Sequence, residues 1–146
     1  MDDATLAMSV ARCRIAIGAA AVVTPGLATR AMAGRRGSKG IAPLLARMLG
    51  ARDMALGLGT VIALDRGKPV RGWLEGCALA DTVDSVACVL AREDMSPTVF
   101  GAATGFAAAS AMLGVFLSRR LDPPSGRHPG QPEAVITGHS PEPVAD

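Results

Sequence analysis

The stretch Ser96–Arg120, SPTVFGAATGFAAASAMLGVFLSRR, decides the fold. From Met95 to Ser118 no residue is charged. Ser96 offers a side-chain oxygen to the free amides of a helix start, and Pro97 suits the first helical position. Arg119 and Arg120 close the stretch. About 22 helical residues at 1.5 Å each reach roughly 33 Å, close to the hydrocarbon thickness of a bilayer. A helix on a soluble core shows charge every turn or so on its wet face. Only Thr98, Thr104 and Ser110 interrupt this one. The spacing predicts a transmembrane helix over about residues 97–118. Gly101, Gly105 and Ala109 recur every four residues, a small-residue stripe that lets a partner helix approach closely.

Working outward, three more apolar stretches precede it, over about residues 6–24, 41–64 and 72–91. Pro25-Gly26 punctuates the end of the first. Its acidic start, Met1-Asp2-Asp3, lacks the basic n-region of a signal peptide, so the first helix is expected to remain in the mature chain. The basic loop Gly34–Gly40 leads to the second stretch, which has Pro43 in its first turn. Asp65–Pro69 is a short loop, which makes the second and third helices antiparallel neighbours. Arg92-Glu93-Asp94 ends the third. No alternation of β-branched and aromatic residues competes. The expected fold is all-α: four transmembrane helices in an up-down bundle over residues 1–121.

Residues 122–146 differ. They hold six of the chain's ten prolines and few aliphatic residues, a composition that cannot offset chain entropy, so a disordered tail is expected. His128 and His139 both lie there, with no Cys or His at ligand spacing, and no metal site is expected. The net charge of +2 gives no basic face for nucleic acid. Three Cys are too few for a disulfide-stapled secreted module. Cys77 and Cys88 lie about 16 Å apart along one helix and cannot pair. Trp73 suits an interface anchor.

The bilayer is therefore the first expected partner, in a multi-pass protein of the inner (plasma) membrane. Arg30, Arg35, Arg36, Lys39 and Arg92 fall on one side. Arg66, Lys68, Arg71, Arg119, Arg120, Arg127, Arg12 and Arg14 fall on the other. That bias favours both termini in the cytoplasm.

Eight charged residues sit inside the first three helices: Arg12, Arg14, Arg47, Arg52, Asp53, Glu75, Asp81 and Asp84. Facing lipid, they would cost roughly 20–28 kcal/mol at about 2.5–3.5 each. Most must therefore face one another or a wet interior, and Arg14, Arg47, Arg52, Asp53, Asp81 and Asp84 form the candidate cluster. Matching depth along the helices predicts Arg52 with Asp81 and Arg47 with Asp84, leaving Arg12 and Arg14 for Glu75 and Asp53. Such a cluster either fixes helix register or binds a small ligand, lipid or quinone. Two rivals are a membrane subunit of a redox enzyme and an assembly factor without catalysis. No phosphate loop or Ser-His-Asp set is present, and no cofactor is indicated.

The run Arg47-Met48-Leu49-Gly50-Ala51-Arg52-Asp53-Met54-Ala55-Leu56-Gly57 resembles the R-x-x-G-x-R-D-x-x-L-G segment of small actinobacterial four-helix membrane proteins in the DoxX-like group, near the DUF4267 families. Thr24-Pro25-Gly26 with Arg30 and Gly34 is similar to the helix-one exit of that group, and Asp81-Thr82-Val83-Asp84 to its third-helix acidic motif. The resemblance covers roughly residues 6–120 and implies a four-helix membrane protein. Some relatives are linked to quinone-dependent sulfur oxidation, which transfers to no residue here.

Overall fold

The computed structural model describes residues 2–33 and 40–121. The expected tail and most of the basic Gly34–Gly40 loop lie outside the described residues. The described chain is all-α: α1 (Asp3–Val23), α2 (Pro25–Ala33), α3 (Ala42–Asp65), α4 (Arg71–Leu90), a 3-10 turn (Arg92–Asp94) and α5 (Pro97–Leu121).

Helix starts and stops follow local chemistry. Asp2 caps α1 by accepting a 2.6 Å hydrogen bond from the Thr5 amide, so α1 begins at Asp3, ahead of the expected residue 6. That bond also holds the Asp2 carboxyl below its ordinary pKa. Ser96 caps α5, its Oγ accepting from the Val99 amide at 3.4 Å. Gly67, with φ of 58°, turns the chain out of α3 in the left-handed region.

One helix was not expected. Pro25-Gly26 punctuates the first stretch, and α1 does end there, with the Thr24 amide and hydroxyl both donating to the Ala20 carbonyl at 2.8 and 2.7 Å. Proline lacks only an amide that a first helical turn leaves free, so Pro25 also starts a new helix, the nine-residue α2.

The helices associate as two close pairs, α1 with α3 and α4 with α5. Each helix turns a narrow stripe inward. On α1 the stripe is Ala7, Ala11, Arg14 and Gly18, and on α4 it is Leu74, Cys77, Ala78 and Asp81. On α5 it is Ala107, Ala111, Gly114, Leu117 and Ser118. These are helical one-face spacings. In the first pair Gly18 meets Gly50, while Gly57 meets Ala11 and Ile15. Residue numbers fall on one helix as they rise on the other, so the two run antiparallel. In the second pair Gly114 sits over Leu74 and Ala78. The pairs join at one end through Ala7, Ala63, Val70, Leu74 and Leu117. Trp73, half exposed, lies against Gly59 on α3.

Among the described residues two helices, α1 and α5, are long and apolar enough to cross a membrane. The other long helices, α3 with 24 residues and α4 with 20, carry more charge: Arg47, Arg52, Asp53 and Asp65 on one, and Arg71, Glu75, Asp81 and Asp84 on the other.

The stripe Gly101, Gly105 and Ala109 is exposed, and a Cβ added at Gly101 or Gly105 meets nothing within 4 Å. It is unused in the chain's own packing. Alanine at either glycine is therefore expected to raise stability, by up to about 1 kcal/mol of helix propensity. Thermal unfolding of the purified G101A and G105A variants checks this.

Candidate functional site

The polar centre lies between the two helix pairs. Arg14 is the seventh residue after Ala7 and shares its inward stripe, so it enters the interior at mid-helix, where it is 9% exposed. Asp81 occupies the corresponding place on α4, seven residues after Leu74, and is 6% exposed. On α3, Gly50, Asp53 and Gly57 share the face toward α1 by their i, i+3, i+7 spacing.

Arg14 ties three helices to its own. Its Nη1 donates to Asp53 Oδ1 at 3.1 Å, and its Nη2 donates to Asp81 Oδ2 and, at 3.2 Å, to Ser110 Oγ on α5. Ser110 in turn donates to Asp81 Oδ2 at 2.6 Å. Arg52 builds the second half. It grips both Asp84 oxygens, Nη1 to Oδ1 at 3.1 Å and Nη2 to Oδ2 at 2.7 Å, and its Nη2 also reaches Asp53 Oδ1 at 3.1 Å. Such bidentate pairing is the strong form of an Arg–carboxylate contact. Asp53 Oδ1 thus joins both guanidinium groups. The Arg14–Asp81 side is buried, whereas Arg52, Asp53 and Asp84 are partly open.

Five of the six expected residues, Arg14, Arg52, Asp53, Asp81 and Asp84, are therefore brought together. The expected Arg14–Asp53 pair forms, whereas the other pairings differ from expectation. Asp81 takes Arg14 rather than Arg52, and Asp84 takes Arg52 rather than Arg47. Arg47 is exposed and makes no ion pair among the described residues. It lies five residues before Arg52, about 140° round the helix, and so points elsewhere. Arg12 is also exposed, and Glu75 pairs with Arg71 on its own helix at 2.6 Å.

Ser110 was missed as a site residue. Its signal is local, one hydroxyl among the alanines at 107–111 in the charge-free run of α5.

Beside Arg14 is a cavity of about 20 Å³, lined by Thr60, Cys77, Ser110, Gly114 and Leu117 among others. It has room for a water-sized molecule, far below the few hundred Å³ of ordinary ligand pockets. All three cysteines are free thiols. Among the described residues no group of His, Cys, Asp and Glu could hold a metal ion.

A wider concavity lies elsewhere. A groove of about 650 Å³ opens on the outer face of α4 and α5, lined by Thr82, Ala111, Met112, Val115, Phe116, Arg119 and Arg120. No protein-family model, curated protein or solved structure matches the chain.

Proposed function

We propose that the chain is a multi-pass protein of the inner (plasma) membrane. In this reading α1, α3, α4 and α5 cross the bilayer as an up-down bundle, with both termini in the cytoplasm. The charge cluster locks the α1–α3 pair to the α4–α5 pair. One observation carries this reading: the residue distribution is inside out. The largest fully buried side chains are Leu117, Thr60 and Ser118, whereas Ile17, Leu45, Leu49, Leu58, Ile62, Leu79, Val83, Val86, Phe106 and Met112 are all exposed. A water-soluble core gathers Leu, Ile, Val and Phe inside, and contiguous exposed apolar surface marks a membrane or partner face. Membrane helices instead meet through small residues and interhelical hydrogen bonds. Gly18, Gly50, Gly57 and Gly114 supply the first, and Arg14, Asp81 and Ser110 the second. The resemblance of the Arg47–Gly57 segment to the DoxX-like group agrees with this reading.

The cavity beside Arg14 takes a water molecule, so a quinone or lipid tail reaches the cluster only if the helix pairs part. The role assigned to the cluster is accordingly fixation of helix register, the best-attested use of buried charge pairs.

The experiment has two arms. Membranes holding the full chain are washed with alkaline carbonate: retention is expected, and release sinks the membrane reading. Lys68→Cys, in a background lacking the native thiols, is then challenged with a membrane-impermeant maleimide from outside the cell. With four spans Lys68 lies on the cytoplasmic side with the termini and reacts only after permeabilisation. If only α1 and α5 span, position 68 reacts from outside and the four-span topology fails.

A further inference from the structure

The outer groove of α4 and α5 combines two unlike surfaces. Its floor is Ala111, Met112, Val115 and Phe116 with Thr82 from α4, and its end is Arg119 and Arg120. From Ala111 to Arg120 the helix advances about 14 Å at 1.5 Å per residue, close to half of a hydrocarbon core of about 30 Å. The groove from its apolar start to its charged end thus matches one leaflet in length, with the charge at its edge. The Arg120 guanidinium lies over the Phe116 ring, 5.1 Å from its centroid, which holds it beside the groove. Neither Arg119 nor Arg120 makes an ion pair among the described residues, and both are exposed. Two cations without an acidic partner among the described residues, above an apolar trough, complement an amphiphile with an anionic head.

We propose that this groove seats an anionic phospholipid of the surrounding leaflet, its acyl chain along α5 and its phosphate at Arg119 and Arg120. The inference rests on the membrane reading, since the lipid must reach the groove laterally. Its chemistry is that of basic clusters at the cytoplasmic surface, where each cation contributes about 1 kcal/mol, or about fivefold in affinity. Unlike a diffuse surface field, the groove also demands a chain.

The test uses the full chain purified in neutral detergent, with unfolding temperature read against added lipid. Dioleoylphosphatidylglycerol is expected to raise Tm by several degrees, dioleoylphosphatidylcholine far less, and glycerol phosphate, a head without a chain, not at all. Arg119→Gln with Arg120→Gln is expected to weaken the phosphatidylglycerol effect about 25-fold in concentration, from two fivefold losses. Met112→Trp, which fills the trough at an exposed position, weakens it with both cations intact. Arg92→Gln, at the other end of the bundle, leaves it unchanged.

Equal stabilisation by the two lipids overturns the proposal, as does a loss with Arg92→Gln as large as with the double variant, which would mean general surface charge. Stabilisation by glycerol phosphate alone also overturns it, in favour of a soluble anion. A protein that stays in carbonate-washed membranes yet shows any of these results has lost the lipid site and kept its membrane assignment.

Discussion

Arg14→Met lowers the stability of the purified protein by about 3–5 kcal/mol, the usual result of breaking a buried pair from one side. The expected size follows from what remains. Three carboxylates, Asp53, Asp81 and Asp84, meet two guanidinium groups, Arg14 and Arg52, so the cluster already carries one negative charge in excess. Without Arg14, Asp81 keeps Ser110 as its hydrogen-bond donor but loses its cation. Asp53→Asn has the opposite sign of charge change. It leaves two carboxylates for two guanidinium groups and retains an amide oxygen to accept from Arg14, so its cost is expected to stay near 1 kcal/mol, that of one ordinary hydrogen bond. Replacing the buried half entirely, Arg14→Met with Asp53→Asn and Asp81→Leu, removes the unpaired charge and is expected to recover most of the loss, because apolar substitutes for buried ion sets are often neutral. Accumulation in membranes and unfolding in detergent both read this series. A triple variant as unstable as Arg14→Met would mean that the buried ion pairs themselves hold the helix pairs together, and that the loss in Arg14→Met is not the cost of an unpaired charge.

Much of this cluster was legible in the sequence, and the failures have a common physical origin. That Arg14, Arg52, Asp53, Asp81 and Asp84 belong together follows from the cost of charge in an apolar helix, which requires no geometry. Who pairs with whom requires two coordinates for each residue, depth and azimuth. Depth comes from counting residues along the axis, and it put Arg52 near Asp81 and Arg47 near Asp84. Azimuth depends on which helices touch, and the dominant contact of α3 is with α1, not with its sequence neighbour α4. That contact brings Arg14 to the centre, whereas the short Asp65–Pro69 loop had suggested a closer α3–α4 union. The start of α5 was legible in Ser96-Pro97, and the helix runs past the expected end at 118 through Arg119 and Arg120 to Leu121. The helix α2 was not legible, because Pro25 both ends one helix and begins the next.

The dominance of the α1–α3 contact has its own test. Gly18→Ala and Gly50→Ala are each expected to destabilise, by about 1–3 kcal/mol. A Cβ at Gly18 would stand 2.5 Å from the Gly50 carbonyl oxygen, and a Cβ at Gly50 would stand 2.5 Å from the Gly18 carbonyl oxygen. Both obstacles are helix backbone, which cannot rotate aside, so the helices must separate by most of an ångström. At Gly57 a Cβ would lie 2.8 Å from the Ala11 carbonyl oxygen. Arg14 and Asp53 sit between these two close approaches, one turn from each, which is why a 3.1 Å ion pair forms between them. Separation at Gly18–Gly50 therefore also weakens the cluster, and Gly50→Ala combined with Arg14→Met should cost less than the two added together. Alanine ordinarily stabilises a helix relative to glycine, as expected at Gly101 and Gly105. Opposite signs for one chemical change, on α3 and on the open face of α5, would locate the binding surface of the bundle. Equal signs at the two places would mean that the crossing at Gly18 and Gly50 is not where α1 and α3 are held.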